Sequence, residues 1–367
     1  MRTRHVDRVF LLIVVILTVV GFFIFVSAAL GLLARNGASF SSVATSQIFL
    51  GLILGSIGLL VASNVHYKHL KRYSLYIFIF SLFATFLVFI PGLGFEYNGA
   101  KRWIGIASFS IQPAEFLKLG FVIYFAAWLS GIRDKLHSFT YSVVPFVVLS
   151  CLIAVPLLLQ PDTGTVVVIL TAGLAMFIAA GARVRDVLVL LGTGALMFAG
   201  LVLVRPYVME RILEFIDPGR DPLGSSYQVQ QSLIAIGSGG FFGRGFGQSI
   251  QKFSFLPEPI GDSIFAVLAE EFGFIGSFAL IALFLFFAFR GLRIASRSPD
   301  YFSGLLVIGI VILIVSQSFI NIASMLGIFP LTGVPLLFVS HGGSALFAAL
   351  LGVGIILNVS KYERKRA

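Results

Sequence analysis

Of 367 residues, 58% are hydrophobic and only 11% are charged, and mean hydropathy is +1.02. A water-soluble domain of this length needs far more surface charge, so a soluble globular protein is excluded. The net charge of +10 would suit a nucleic-acid binder, but its basic residues fall between apolar runs, in the manner of a membrane protein with no nucleic-acid role.

Lipid offers the backbone no hydrogen-bond partner, so apolar runs of roughly 20 residues must be helices. Ten are expected, at 9–33, 47–65, 74–90, 116–130, 141–159, 165–181, 187–204, 263–289, 302–326 and 344–360. The fourth is short for a full span, so its helix is expected to begin earlier, within Gln112–Glu115. The fold class is an all-α integral membrane protein, read as one polytopic domain over 1–367, with a large loop at 205–262 between the seventh and eighth helices. With the N-terminus inside, alternate connections hold Arg2, Arg4, Arg8, Lys68, Lys71, Arg72, Arg133, Lys135, Arg183, Arg185, Arg290, Arg293, Arg297 and the Lys361–Arg366 tail. These are most of the 26 basic residues, which places both termini in the cytoplasm and the long loop outside.

The N-terminus imitates a signal peptide, with Arg2 and Arg4 before an apolar run and Ser27-Ala28-Ala29 after it. The run is too long and nine more follow, so an uncleaved first helix is expected. Cys151 is the only cysteine, which excludes internal disulfides and cysteine-ligated zinc clusters. No internal repeat of the transporter kind is present.

Polar residues, glycine and proline concentrate in 91–115, 205–262 and 327–343. The first contains Asn98-Gly-Ala-Lys-Arg-Trp103 and Ser110-Ile-Gln-Pro-Ala-Glu-Phe-Leu-Lys118. Pro113 suits a first helical turn, with Gln112 or Ser110 as cap. Glu115 and Lys118 are then three apart on one face. They form either a local ion pair closing the helix start or, because charges near a membrane interior are expensive, a functional pair. Trp103 reads as an interface anchor. In Gln160-Pro-Asp-Thr-Gly-Thr165, Asp162 either caps the sixth helix or, with Thr163, serves a cation or a sugar.

In the long loop, Tyr207–Phe215 and Ser226–Ile236 read as amphipathic segments, and Asp217, Arg220 and Asp221 as turn formers on a surface. Gly237–Gly247 lacks the strand and the Gly-Lys-Ser/Thr of a nucleotide loop. Its N–H groups and Arg244 could bind an anion, or its glycines could pack closely. Asp262 stands where the loop becomes the eighth helix, with Glu270 and Glu271 further in. Capping would explain Asp262, but three acids entering a membrane helix need water, a cation or a proton. Ser340-His-Gly-Gly-Ser344 opens the tenth helix with free N–H groups, Ser344 being a default cap. His341 has no evident paired ligands.

These strings together resemble the SEDS proteins (shape, elongation, division and sporulation), over nearly the whole chain to Lys361. The resemblance rests on the two first-loop strings, Gln160-Pro-Asp-Thr-Gly164, Asp221-Pro-Leu-Gly-Ser-Ser-Tyr-Gln228, Leu256-Pro-Glu258 with Asp262-Ser-Ile-Phe265, Glu270-Glu271, and Pro330-Leu-Thr-Gly333 with Gly342-Gly-Ser344. Any one is weak, but their order and spacing are specific. Ser263 stands where the family usually has an aromatic, His341 where tyrosine is commoner, and Leu337 where proline is frequent. The division-type FtsW branch looks closer than the rod-elongation RodA branch.

The resemblance implies a peptidoglycan glycosyltransferase that polymerises lipid II at the outer face of the bacterial cytoplasmic membrane, with undecaprenyl-pyrophosphate-linked glycan as the growing strand. Asp262 becomes the expected catalytic base; Lys118, Glu115 and Asp162 join its cavity, and Arg102 and Trp103 its rim. Lys118, Lys101, Arg102 or Arg211 would face the leaving pyrophosphate, with Ser344 a further candidate substrate contact. A divalent cation (Mg or Mn) on Asp262 or Asp162 is a candidate cofactor. Expected partners are a class B penicillin-binding protein and other divisome or elongasome proteins. The rival reading is a flippase for lipid-linked precursors, which should have polar groups along a complete path; 187–204 and 302–326 contain few.

Overall fold

The computed structural model describes residues 5–35, 37–97, 99–106, 109–217, 219 and 226–363. Among them, nine helices are long and apolar enough to cross a membrane, and Thr163–Ala179 is a shorter apolar tenth. In chain order they begin with α1 (Arg8–Arg35), followed by a second span built from α2 (Gly37–Thr45), a π-helical stretch (Ser46–Leu54) and α3 (Gly55–Asn64). Then come α4 (Tyr67–Phe86), α5 (Pro113–Gly131), α6 (Phe139–Leu159), α7 (Thr163–Ala179) and α8 (Val184–Val204). The long loop carries α9 (Pro206–Ile216), α10 (Tyr227–Gly239) and the short α11 (Gln251–Ser254). The bundle ends with α12 (Ile264–Ser296), α13 (Tyr301–Met325) and α14 (Gly343–Ser360). The ten expected spans are these ten segments. The fourth starts at Pro113, as its length required, because proline at the first turn has no N–H to leave unsatisfied.

Burial sorts the helices. α5, α13 and α14 are buried along most of their length, whereas α8 exposes Leu188, Leu196, Leu203 and Val204. In lipid such side chains need no protein cover, so packing rather than hydrophobicity sets the order. α14 lies against the second span through glycines: Gly51 faces Leu346 and Gly343, Gly55 faces Leu350, and Gly354 faces Leu59 and Ala62. At Gly354 a side chain would meet the Leu59 backbone and force the helices apart, while at Gly51 and Gly55 it would displace leucine side chains.

Two features depart from a plain bundle. Residues 91–115 contain a three-stranded antiparallel sheet, β1 (Gly94–Tyr97), β2 (Ala100–Ile106) and β3 (Phe109–Ile111). Gly99 makes the first turn at φ +73°, where other residues are strained. α12 is two helices in line, broken at Gly273 with φ 64° and ψ −158°. The broken ladder is closed by the glycine-rich loop: Arg244 and Gly245 donate to the Glu270 and Glu271 carbonyls, while Phe274 and Ile275 donate to those of Gly240 and Phe241. Close packing therefore explains Gly239 and Gly243, which lie against the Ala269 and Glu271 carbonyls, positive φ explains Gly240, Gly245 and Gly247, and the Arg244 and Gly245 N–H groups are not available to an anion. The turn formers Arg220 and Asp221, Asn98 of the first-loop string, and Arg2, Arg4 and Arg364–Arg366 of the charge pattern lie outside the described residues.

Candidate active site

Asp262 is not a helix cap. Ser263 holds the N-cap position of α12 and makes no capping hydrogen bond. The Asp262 carboxylate accepts instead from Gln228 Nε2 of α10 at 3.0 Å, and the same amide donates to Ser263 Oγ at 2.9 Å. Burial, reinforced by the nearby Glu258 carboxylate, pushes the Asp262 pKa up from 3.8 to about 6; the Gln228 hydrogen bond and Arg211 oppose the rise.

The backbone around Asp262 is held at three consecutive carbonyls. His341 N donates to Ile260 O at 2.7 Å, Ser340 Oγ to Gly261 O at 2.7 Å, and Asn321 Nδ2 to Asp262 O at 2.8 Å. Asn321 is buried on α13 and also donates to Val334 O at 2.8 Å. Gln47, in the π-helical stretch, brackets His341 from behind, donating to Ser340 O and accepting from Gly342 N. The His341 ring stacks on Phe25, and burial lowers its pKa to about 4, so it is neutral. Ser340 and His341 belong to the string that opens the tenth helix, whereas Gln47 and Asn321 lie among small polar residues within expected spans, and an amide at that depth was the available signal.

The turn Pro330–Pro335 joins the remaining residues. Gly333 sits at φ +69°, its open side facing Asp262 Oδ2 at 3.9 Å from an ideal Cβ. On another side, Gly164 at the start of α7 packs on Thr332 and Val334 so closely that a Cβ would lie 2.6 Å from Val334 Cγ1. That brings Asp162 beside the same turn. Asp162 Oδ1 caps α7, accepting from Thr165 N at 3.2 Å, while its buried Oδ2 has no hydrogen-bond partner. Arg211 Nη1 donates to Leu331 O at 2.9 Å. Gln317 donates to Pro335 O at 3.1 Å and accepts from Lys118 Nζ at 2.5 Å. Lys118 also pairs with Glu115 at 2.8 Å, both groups being 2% exposed. The ion-pair reading of these two holds, and the pair is buried and hydrogen-bonded to Gln317, the support of the turn.

Other candidates occupy different positions. Arg102 donates through Nε to Gln160 O at 3.0 Å and through Nη2 to Pro161 O, holding the turn before Asp162 rather than presenting a free guanidinium. Lys101 is exposed on β2, and the Trp103 ring stacks on Phe95 across β1–β2. Ser344 is not a cap: Gly342 takes that position, and Ser344 Oγ accepts from Gln112 N at 3.3 Å, joining α14 to the start of α5. Glu270 and Glu271, left without structural purpose by the sequence, are in fact fully engaged. Glu270 accepts from Ser249 Oγ and Ile250 N. Glu271 accepts from Lys252 Nζ and Ser27 Oγ, each at 2.6 Å. Buried Lys252 was not anticipated.

No group of three His, Cys, Asp or Glu side chains among the described residues forms a donor set for a metal. Asp262 and Glu258 are too few to hold a divalent cation without oxygens from a bound substrate.

A family model for cell cycle proteins of the FtsW, RodA and SpoVE type matches residues 7–365. Stage V sporulation protein E of Bacillus subtilis is 41% identical over 326 residues, covering 89% of this chain and 88% of its own. A probable peptidoglycan glycosyltransferase FtsW of Geobacter is 37% identical over 369 residues, covering 100% of both. Among solved structures, a chain from a peptidoglycan synthase complex coordinating polymerization and crosslinking superposes with a TM-score of 0.79 at 28% identity, covering 98% of this chain and 99% of that one. A continuous match in sequence and in fold leaves one assignment: this chain is a multi-pass membrane protein of the FtsW/RodA/SpoVE (SEDS) family, of the FtsW-like kind.

Proposed function

We infer that this chain is a peptidoglycan glycosyltransferase that polymerises lipid II, with Asp262 as the base that takes the proton of the acceptor sugar hydroxyl. The observation supporting this most directly is the state of Asp262. It is neither a cap nor an ion-pair partner, its backbone is held at three consecutive carbonyls, and its pKa of about 6 suits proton transfer near neutrality. As the hydroxyl attacks the anomeric carbon, the bond to the pyrophosphate lipid breaks and negative charge leaves on the pyrophosphate. Exposed Lys101, and Arg211 with the guanidinium nitrogens that do not bond Leu331 O, are the cations proposed to meet it. Lys118 and Arg102 act indirectly, by supporting the Pro330–Pro335 turn and the Asp162 turn. A divalent cation bound at Asp262 would supply further charge to the same oxygens.

The working face is the extracytoplasmic side of the cytoplasmic membrane, consistent with the basic residues on the opposite connections. A class B penicillin-binding protein is the proposed partner, and the solved relative from a synthase complex supports that pairing. Purified protein supplied with labelled lipid II in vesicles tests the inference. Wild type should yield polymer and Asp262→Asn none, with both equally folded. Polymer from Asp262→Asn would remove the base assignment, and translocation without polymer would favour a flippase.

A further inference from the structure

The two ends of the α1–α12 pair are marked by polar ties. At one end Arg290 Nη2 meets Asp7 at 2.7 Å; at the other Glu271 meets Ser27 and Lys252. Ser27 lies about 29 Å along α1 from Arg8 at 1.5 Å per residue, close to the thickness of a hydrocarbon core. Glu271 therefore sits near the outer membrane boundary on the Asp262 side, about two turns before the end of the apolar run of α1. The glycine-rich loop is bonded to α12 at this level and just below it, since Phe274 and Ile275 donate to Gly240 and Phe241.

We propose that Gly240–Phe255, within a loop that sequence alone assigns to the aqueous side, is inserted in the outer-leaflet boundary and binds lipid. Non-helical backbone tolerates that depth only when its polar groups are satisfied within the protein. Here the ties across the α12 break engage the Gly240 and Phe241 carbonyls and the Arg244 and Gly245 N–H groups, Gly243 N donates to Gly239 O, and the N–H groups of Ile250 and Gln251 donate to the Glu270 carboxylate. Ser249 and Lys252 turn inward to Glu270 and Glu271, while the large apolar side chains of the segment turn outward. Phe242 is 78% exposed, and Phe241, Phe246, Ile250 and Phe255 are exposed beside it. The patch runs on into the lipid-facing Phe274, Phe278 and Phe286 of α12, and Phe241 stacks on Phe274 at 5.7 Å. Aromatic rings at this level are what a membrane boundary accommodates. Through α10 the inserted loop is coupled to Gln228 and so to the Asp262 carboxylate, holding the site at the depth where a lipid headgroup meets water.

The lone native cysteine makes the test clean. In a Cys151→Ser background, nitroxides would be attached at Phe242→Cys and Phe246→Cys, with exposed Phe286→Cys as bilayer reference and exposed Glu96→Cys as aqueous reference. In liposomes, spin relaxation is then read with oxygen, which partitions into lipid, and with a water-soluble nickel chelate. The expected result is oxygen-dominated relaxation at 242 and 246, on the side of the Phe286 reference. Nickel-dominated relaxation like that of the Glu96 reference would overturn the proposal. As a check independent of labelling, Phe242→Trp in a chain with Trp103→Phe and Trp128→Phe should be quenched by shallow brominated lipids in liposomes. Absence of that quenching would also overturn it.

Discussion

Asp262 titrates where enzymes work, and the direction of its shift can be tested. Its carboxyl is protonated below about pH 6, so the base function proposed for it would be lost as pH falls through that value. The folded state holds this proton more tightly than the unfolded chain. The group's contribution to stability is therefore present below 3.8 and is lost as pH rises through about 6. Lipid II polymerisation measured against pH should show an acidic limb near 6. Glu258→Gln removes a like charge and should move the limb to lower pH; Gln228→Leu removes a hydrogen bond to the charged form and should move it higher. A limb unmoved by either variant would mean that another group titrates. Lys118 obeys a different rule, because its charge is buried against Glu115. Lys118→Met leaves that carboxylate unpaired and should lower unfolding stability by about 3–5 kcal/mol; Glu115→Gln in the same chain should restore much of the loss.

Between elements, short contacts with the Pro330–Pro335 turn assemble the site. Asn321→Leu would remove the amide that joins Asp262 O to Val334 O. Displacing a catalytic group by an ångström can cost about 100-fold in rate. The expectation is a fall of that order in kcat with KM little changed, and Asn321→Asp should not rescue it because the donor is absent. A matching rise in KM would instead mean lost substrate binding. Gly164→Val would drive a side chain into Val334 and Thr332 and should lower stability by about 1–3 kcal/mol, read by thermal unfolding in detergent. The span positions were legible in sequence because a hydrophobic run long enough to cross lipid has one structural solution. The sheet at 94–111 was not, since β1 and β3 are short and the apolar residues of β2, Trp103, Ile104 and Ile106, sit among glycine and charge that read equally well as loop.

Across the molecule, α1 and α12 are tied at both ends by buried or half-buried charge, and the Gly273 break separates the half of α12 following Asp262 from the half that crosses the membrane. Lys252→Met should therefore destabilise the whole fold by about 3–5 kcal/mol, because it leaves Glu271 charged and alone apart from Ser27 and Ser249. The double variant Lys252→Met/Glu271→Gln should recover stability in the same thermal assay. Equal loss in the single and double variants would mean that packing, not charge, holds this junction.

Composition and order of motifs by themselves determined the membrane class, the ten apolar segments, the family resemblance and Asp262 as the residue to examine. Those properties depend on local runs and spacings, which the chain carries wherever it folds. Tertiary structure alone decided which acids are free for chemistry. Asp262, Glu270 and Glu271 look alike in a string, yet Glu270 and Glu271 are bound by Ser249 and Lys252, partners some twenty residues earlier, and Glu271 also by Ser27 on the first helix. Likewise, Arg102 and Lys118 carry charge that neighbouring segments already engage. A hydrogen bond depends on distance in space, and only the packing of the helices sets that distance.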